Sequence, residues 1–228
     1  MSGEQTMCYT TALDRSYAAL QQDYNRKLSY RSPIEILEND DRSILPIRRI
    51  VAFARPFWPI ITTAEPDEFS IGRWGFLPTR TRTEQEANEF LKKYPTYNTI
   101  SEDVETKRTY KSAFENGNRC LIPVTEFFEW QDQGKKKTPF KIRIDRDGAF
   151  SLAGIWEESA LGYRTYSVLT TAANPLMARI HNSKKRMPVI IPKELEETWV
   201  RAELSVAETK ALCTAFPEQH MLAEEMSS

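Results

Sequence analysis

Cysteine and histidine are scarce in this chain, and their scarcity excludes several kinds of site. The 228 residues contain three cysteines, Cys8, Cys120 and Cys213, and two histidines. An odd number of cysteines at wide spacings argues against a disulfide scaffold and against a zinc site, and it suits a reducing compartment. We therefore expect a protein that uses no metal and no other cofactor.

An excess of one charge and a long apolar segment are also missing. The formal net charge is -1, so no overall basic field points to a nucleic-acid partner, although a local basic patch would suffice to bind one. No apolar run approaches the ~20 residues of a membrane-spanning helix, and Met1–Thr6 lacks the features of a signal peptide. We expect a soluble cytoplasmic protein, associated with the nucleoid in a bacterium, with no membrane partner.

Aromatic residues, by contrast, are plentiful enough to build a large core. The chain has 11 Phe, 9 Tyr and 5 Trp, and 40% of its residues are hydrophobic. Its length fits one large domain or two small ones. Because we find no internal repeat, no low-complexity tract and no linker rich in Gly or Ser, a single α+β domain is the natural prediction.

Apolar periodicity predicts helices in the first half of the chain. Leucines and tyrosines recur at helical spacing over residues 13–28, and a stop at Arg31–Pro33 follows. A second helix is expected over 83–94, where Thr83 and Glu86 have the spacing of a capping box. A third is expected from residue 101 to about residue 116.

The rest of the chain is predicted to be mostly strand. Between residues 44 and 71, prolines separate short strands from loops, with the clearest strand at 59–63. Further strands are predicted at 119–123, 126–131, 139–144, 149–156, 164–171 and 189–191. A short helix after Asn174-Pro175 and two closing helices, starting at Pro192 and at the capping box Ser205–Glu208, complete the prediction.

The stretch from Arg119 to Trp130 contains the first candidate for chemistry. An apolar run ends at Pro123, and Glu129 then stands between Phe128 and Trp130. A carboxyl group in aromatic surroundings loses hydration, so its pKa rises toward the range useful for proton transfer. The alternative is a half-buried strand whose Glu129 points to water.

Of the two histidines, His181 is the better candidate for a functional role. It lies between a predicted helix and a predicted strand, in the kind of loop that commonly carries catalytic side chains, whereas His220 lies in a polar tail. The alternative for His181 is a surface position in a charged loop. The neighbouring Lys184, Lys185 and Arg186 form either a solvated face or a set of phosphate contacts.

Cys8 is the candidate nucleophile. A cysteine near the start of a chain is normally a small buried apolar residue, but Cys8 follows Met7 directly. If Met7 were the true start, removal of the initiator methionine would leave an α-amine and a thiol on one residue. The amine, with a reference pKa of about 7.7–8.0, attacks aldehydes, and the thiol can then close a ring on the imine.

Together these segments resemble the SOS response-associated peptidase (SRAP) family. The matching blocks occur in the family's order and cover about residues 7–200. They are Met7-Cys8, Trp74–Pro78, Asn98 with Ser101-Glu102, Arg119–Pro123, Phe127–Trp130, Thr170–Ala173, His181 and Arg186–Ile190. The resemblance implies one β-rich α+β domain over residues 8–228, with mixed, barrel-like sheets and peripheral helices.

The resemblance also implies that the protein captures abasic sites in single-stranded DNA. Cys8 would form a thiazolidine cross-link with the aldehyde of the ring-opened deoxyribose. Asn98 would position the sugar or the amine of the cysteine, and Glu129 would move protons at the amine and the thiol. His181 would assist ring opening and imine formation, and Arg186 would contact a phosphate near the lesion.

The same resemblance suggests which residues hold the DNA strand. Trp74 and the Pro56–Pro59 segment would shape a surface that stacks on bases and separates strands. Lys107 and Arg108 are available for a basic groove along the backbone, as a near-neutral protein needs. The expected partner is single-stranded DNA with abasic sites, bound by a monomer.

The start of the chain departs from the family pattern. Met1–Met7 precedes Cys8, whereas the ring chemistry requires a free α-amine on that cysteine. Either the true start is Met7, or residues 1–7 are removed autocatalytically, as relatives are credited with doing. If they stay attached, the chain is a precursor or is inactive.

Two further departures lie within and beyond the matching blocks. Ile100 stands where the family has an arginine, which removes a phosphate contact that Lys107 or Arg108 would have to replace. The tail after about residue 215 and the longer loop after His181 also differ from the family.

Two other functions remain open from the sequence. One is a conventional cysteine peptidase that uses Cys8 and His181, although no oxyanion hole is marked and Cys8 does not visibly begin a helix. The other is a non-catalytic module for single-stranded DNA. It predicts salt-sensitive binding that survives Cys8→Ala.

Overall fold

The computed structural model describes residues 9–28 and 45–227 of the chain. Cys8, the segment 1–7 before it and the helix end expected at Arg31–Pro33 lie outside these residues. The described part is a mixed α+β structure with two sheets, which confirms the predicted fold class.

A five-stranded sheet carries Glu129. Its strands are β1 (Thr10–Leu13), β3 (Ile47–Val51), β8 (Glu126–Asp132), β9 (Lys137–Ile144) and β14 (Met221–Glu225). They lie in the order β14-β9-β8-β1-β3. β1 is antiparallel to β8, with Thr10 opposite Phe128. This register brings the start of β1 next to Glu129.

The second sheet curls into a ring. It contains β2 (Lys27–Leu28), β4 (Phe57–Thr62), β5 (Glu65–Trp74), β6 (Asn98–Ile100), β7 (Arg119–Val124), β10 (Phe150–Glu158), β11 (Arg164–Ala172), β12 (Arg186–Pro188) and β13 (Ile190–Ile191). The order is β12-β11-β10-β7-β4-β5-β2, and parallel pairing of β5 with β11 closes the ring. The closing contact joins only three residue pairs, so the ring is not a regular barrel.

Short helices lie around the sheets. They are α1 (Tyr17–Tyr24), α2 (Glu84–Lys93), α3 (Lys111–Glu115), α4 (Pro175–Ile180), α5 (Glu196–Arg201) and α6 (Val206–Leu212). Side-chain oxygens of Ser16, Thr83 and Asn174 cap α1, α2 and α4 by accepting backbone N–H bonds. Ser205 and Glu208 form the predicted capping box of α6. At Thr83 only half of the box forms, because Glu86 accepts from the amide of Arg82 instead.

Two predicted helices are wrong in extent. The first helix, predicted over residues 13–28, covers only Tyr17–Tyr24. Leu13 ends β1, whose β-branched Thr10 and Thr11 pair with both β8 and β3, and Leu28 belongs to β2. The helix expected from Ser101 is replaced by a 3₁₀ turn at Val104–Thr106 and the short α3. The amide of Ser101 donates to Thr170 O, so β11 holds this residue outside any helix.

The strands predicted between residues 119 and 171 are confirmed as β7, β8, β9, β10 and β11. The strand predicted at 189–191 forms as β13 (Ile190–Ile191). Val189 lies between β12 and β13 and donates its amide to Leu169 O of β11. No sequence pattern predicts β14, in which only Met221 is buried. β14 pairs along β9, and an ion pair of 2.8 Å between Lys141 and Glu224 supports it.

Trp74 belongs to the core, which corrects its predicted place on a DNA surface. Its side chain is 1% exposed, and its indole Nε1 donates to Tyr97 O at 2.9 Å. The ring stacks on Tyr166, with centroids 6.1 Å apart. The Pro56–Pro59 segment is also wrong as a surface element, because it leads into β4, which is buried along its whole length. The aromatic side chains of both segments are buried in the interior, as is usual for large rings.

Candidate active site

Glu129 is almost completely buried, with 1% of its side chain exposed. Within the described residues, neither of its carboxyl oxygens accepts a hydrogen bond of ordinary geometry. Burial raises the pKa of Glu129 well above its ordinary value, and the nearby amide of Trp130 offsets this only in part. The alternative in which Glu129 points to water is therefore wrong. Burial therefore favours the protonated, uncharged form of this carboxyl.

His181 lies beside Glu129 at the end of α4, and it too is 1% exposed. Its Nδ1 is 2.9 Å from Arg186 O and 3.9 Å from Glu129 Oε1. Because a carbonyl oxygen only accepts hydrogen bonds, Nδ1 carries a hydrogen and donates it to Arg186 O. The lone pair of the neutral ring is then on Nε2. The surface position considered for His181 is therefore wrong.

An open cavity of about 570 Å³, the site cavity, adjoins this pair through Arg186. Arg186 accepts the hydrogen bond of His181 with its carbonyl, and its side chain lines the cavity. The full lining is Tyr9, Tyr94, Pro95, Thr96, Asn98, Thr99, Ile100, Asp103, Lys107, Thr109, Tyr110, Lys184 and Arg186. Tyr9, the residue after Cys8, therefore lines the same cavity as three of the predicted site residues, namely Asn98, Lys107 and Arg186.

Asn98 is placed by β6, which runs parallel to β11 with Asn98 opposite Val168. The residue is 6% exposed, so its amide group is held in the cavity wall rather than in solvent. A side-chain amide offers both a donor and an acceptor. Asn98 can therefore orient a polar ligand in the site cavity.

Arg186 is held by a two-pronged ion pair with Glu102. Its Nη1 and Nη2 each donate to one Glu102 carboxyl oxygen at 2.7 Å, and Nη2 also donates to Thr170 O at 2.6 Å. Burial opposes ionisation of Glu102, but the hydrogen bonds and charge of Arg186 lower the pKa of Glu102 to about 2. The arrangement fixes the guanidinium at the cavity wall and neutralises part of its charge.

Other cations surround the site cavity. Lys107 and Lys184 line it, and Lys107 forms an exposed ion pair of 3.1 Å with Asp103. Ile100, in place of the family's arginine, lines the same cavity and is 39% exposed. Arg108 is not in this cavity. It lines a neighbouring one, the side cavity, of about 430 Å³.

An aromatic cluster at the cavity edge is a feature that the sequence did not reveal. The ring of Tyr9 lies 4.9 Å from that of Phe53 and 5.9 Å from that of Tyr97, between centroids. Phe53 is 60% exposed. It stands in a short 3₁₀ turn, Ala52–Ala54, where no periodic pattern marks it. Its exposure, rather than its sequence context, makes it a candidate for stacking on a base.

The two described cysteines are buried. Burial raises the pKa of the Cys120 thiol strongly and that of the Cys213 thiol to about 12. Both thiols are therefore protonated and inert at neutral pH. In the described residues no group of three or more His, Cys, Asp and Glu side chains has an arrangement that would hold a metal ion. No helix there is long and apolar enough to cross a membrane.

The fold and this site define a class of protein: a ring-like α+β structure that holds a buried Glu–His pair beside an open, cation-lined cavity. The family model for SOS response associated peptidase (SRAP) matches residues 7–228. The chain therefore belongs to the SRAP family, as its motifs predicted.

Curated relatives and solved structures agree with this assignment. The chain is 28% identical to the abasic site processing protein YoaM of Bacillus subtilis over 162 residues, which is 68% of this chain and 67% of YoaM. It is 30% identical to the abasic site processing protein YoqW of the same strain, over 56% of this chain and 55% of YoqW. A crystal structure of a protein from Bacteroides thetaiotaomicron matches with a TM-score of 0.84 and 29% identity, covering 96% of this chain and 92% of that one.

Proposed function

We propose that this protein captures abasic sites in single-stranded DNA through a covalent bond from Cys8. The names of its relatives supply the substrate class. The observation that carries the proposal is Glu129, a buried carboxyl of raised pKa beside His181. It lies next to β1, which begins two residues after Cys8.

Formation of the thiazolidine needs a group that both donates and accepts protons and is shielded from water. The α-amine of Cys8 attacks the aldehyde C1′ of the ring-opened sugar and forms a carbinolamine. Loss of water, after protonation of the hydroxyl, gives an imine. The thiol then adds to the imine carbon, and its proton passes to the nitrogen, which closes the thiazolidine. Glu129, whose pKa burial raises, is suited to protonate the leaving hydroxyl and to recover a proton afterwards.

His181 and Asn98 have complementary roles in this proposal. His181 has its lone pair on Nε2 when neutral, so it can take the proton of the sugar hydroxyl during ring opening. Asn98 holds the sugar or the amine of the cysteine by hydrogen bonds from the cavity wall. Both side chains are fixed by burial, which favours a productive orientation.

Phosphates flanking the lesion would be held by the cations of the site cavity. Arg186 presents a fixed guanidinium, and Lys107 and Lys184 lie on the same cavity. We propose that these two lysines take over the phosphate contact that Ile100 cannot make. Phe53, which is 60% exposed and packs on the buried Tyr9, would stack on an unpaired base in place of Trp74.

The free amine requires that residues 1–7 be absent. We propose that they are removed by hydrolysis of the Met7–Cys8 peptide bond, in which Cys8 and Glu129 take part, or that synthesis starts at Met7. The protein would then act as a monomer, with residues 8–228 forming one domain.

A cross-linking assay tests the proposal. Protein that begins at Cys8 is mixed with single-stranded DNA carrying one abasic site, and the products are separated on a denaturing gel. We expect a shifted band that resists denaturation. Cys8→Ser should abolish it, whereas Cys213→Ser, at a buried and inert thiol, should leave it unchanged.

Three outcomes would contradict the proposal. They are no band from protein beginning at Cys8, an equal band from Cys8→Ser, and an equal band from protein in which residues 1–7 remain attached. DNA binding without any band would instead favour the non-catalytic module. Turnover of a generic peptide would favour the peptidase.

A further inference from the structure

The side cavity adjoins the site cavity, and the two share Tyr94 and Thr109 in their walls. Tyr94, which is 49% exposed, therefore lies at the boundary between the two cavities. The side cavity is lined by Phe76, Leu77, Pro78, Thr79, Arg80, Phe90, Tyr94, Arg108, Thr109, Ser112 and Glu157. A chain bound in the site cavity can therefore continue past Tyr94 into the side cavity.

Aromatic and apolar side chains form the interior of the side cavity. Phe76 and Leu77 are 1% and 0% exposed, so they make its floor. The half-buried Phe90 lies against Tyr94, with ring centroids 5.3 Å apart. Rings of this kind stack on nucleic-acid bases irrespective of their sequence, because each base has a flat aromatic face.

The charged groups at the side cavity favour a base inside it and phosphates at its rim. Arg80 and Arg108 are exposed, and neither has an ion pair within the part of the chain that the structure describes. They suit phosphates that pass along the rim. Glu157, half-buried on β10, would repel a phosphate placed inside, but its carboxylate can accept a hydrogen bond from a base N–H.

We propose that the side cavity holds the unpaired base of a nucleotide adjacent to the abasic site, on one side of the lesion. This inference rests on the proposed function, since it takes the site cavity as the place of the lesion. The base lies against Tyr94 and Phe90, and the phosphates on either side of it lie near Arg80 and Arg108. Binding of this base would hold the strand in register before any covalent bond forms.

The test uses a non-reactive DNA, so that binding is measured apart from cross-linking. The full chain is titrated into a single-stranded oligonucleotide that carries tetrahydrofuran, an abasic analogue without an aldehyde, and the Kd is measured by fluorescence anisotropy. We expect Tyr94→Ala and Arg80→Ala each to raise the Kd by about fivefold or more. Tyr94→Phe keeps the ring and should bind like the unchanged protein.

Arg82→Ala is the matched control for Arg80→Ala. Arg82 is also exposed, lies two residues further along the same loop and is absent from the cavity wall, so the two variants lose the same charge. A second arm removes the base rather than the side chain, by placing another tetrahydrofuran on one or the other side of the lesion analogue. The second tetrahydrofuran should raise the Kd as much as Tyr94→Ala does, but on one side of the lesion analogue only. Combining that DNA with Tyr94→Ala should raise the Kd little further.

Equal affinities of the unchanged protein and Tyr94→Ala would overturn the inference. So would an equal loss from Arg80→Ala and Arg82→Ala, or full additivity of Tyr94→Ala with base removal on both sides. Failure of the inference is separable from failure of the proposed function. If the cross-link through Cys8 forms but Tyr94→Ala does not change the Kd, only the proposed role of the side cavity is refuted. A protein that depends on Tyr94 for binding but forms no cross-link refutes only the covalent capture.

Discussion

Replacing Glu129 with glutamine should make the protein more stable at neutral pH, and the gain should depend on pH. Burial raises the pKa of the Glu129 carboxyl well above 4.5 in the folded state, whereas the unfolded chain restores an ordinary value. Glutamine has nearly the same shape but does not titrate. The difference in stability between the two proteins therefore isolates this one ionisation.

The sign follows from proton counting. Below pH 4.5 the carboxyl is protonated in both states, so its ionisation does not affect folding. As the pH rises above this value, the unfolded chain loses the proton while the folded protein keeps it, and the free energy of unfolding falls. The fall is about 1.4 kcal/mol per pH unit until the raised pKa is reached. The advantage of Glu129→Gln over the unchanged protein should grow by the same amount.

Urea denaturation at several pH values between 4 and 8 measures this difference directly. Glu203→Gln, the same change at an exposed carboxyl, serves as the control and should alter the free energy of unfolding by no more than about 0.5 kcal/mol. A constant difference between Glu129→Gln and the unchanged protein across the range would refute the assignment of a raised pKa. Glu129→Gln should also form the cross-link with DNA more slowly, so its stability and its activity should change in opposite directions.

Two further substitutions test how the site is supported. Glu102→Gln removes the charge that neutralises Arg186, so single-stranded DNA should bind up to about fivefold more tightly at low salt, a gain that 0.5 M salt should cancel and that anisotropy measures. An unchanged Kd would show that Arg186 does not contact phosphate. Trp74→Phe leaves Tyr97 O without its donor and should lower the free energy of unfolding by about 1–3 kcal/mol without changing the Kd for DNA. A higher Kd for DNA with an unchanged free energy of unfolding would show that Trp74 contacts DNA.

Much of the sheet structure could be predicted because its signals are local. The strands between residues 119 and 171 are separated by turns at Asp132–Gly134 and Asp145–Gly148, and each strand pairs with a neighbour close in sequence or is buried in the ring. Ser205 and Glu208 likewise carry a capping signal within four residues. Where the cause of an element lies within a few residues, the sequence is enough to find it.

The wrong predictions have causes that lie far away in sequence. The helical pattern begins at Leu13, but this residue ends β1, which pairs with β3 and with β8, more than 100 residues later. Ser101 has the chemistry of a helix cap, but the carbonyl of Thr170 takes its amide. The family resemblance predicts a surface position for Trp74, yet its ring stacks on Tyr166 and its Nε1 donates to Tyr97 O. In each case a tertiary contact overrides a local preference.

Glu129 shows how a residue can be found from sequence although its surroundings cannot. Strand alternation would place Phe128 and Glu129 on opposite faces of β8, with one of them in water. In the structure Phe127, Phe128 and Glu129 are all buried, because both faces of this strand are covered. The aromatic neighbours correctly predicted a dehydrated carboxyl, but its depth comes from α4 packing on β8, which also places His181 next to it. Burying a carboxyl without a strong partner lowers the stability of the fold, and the proton transfer proposed for Glu129 would explain why the residue is kept there.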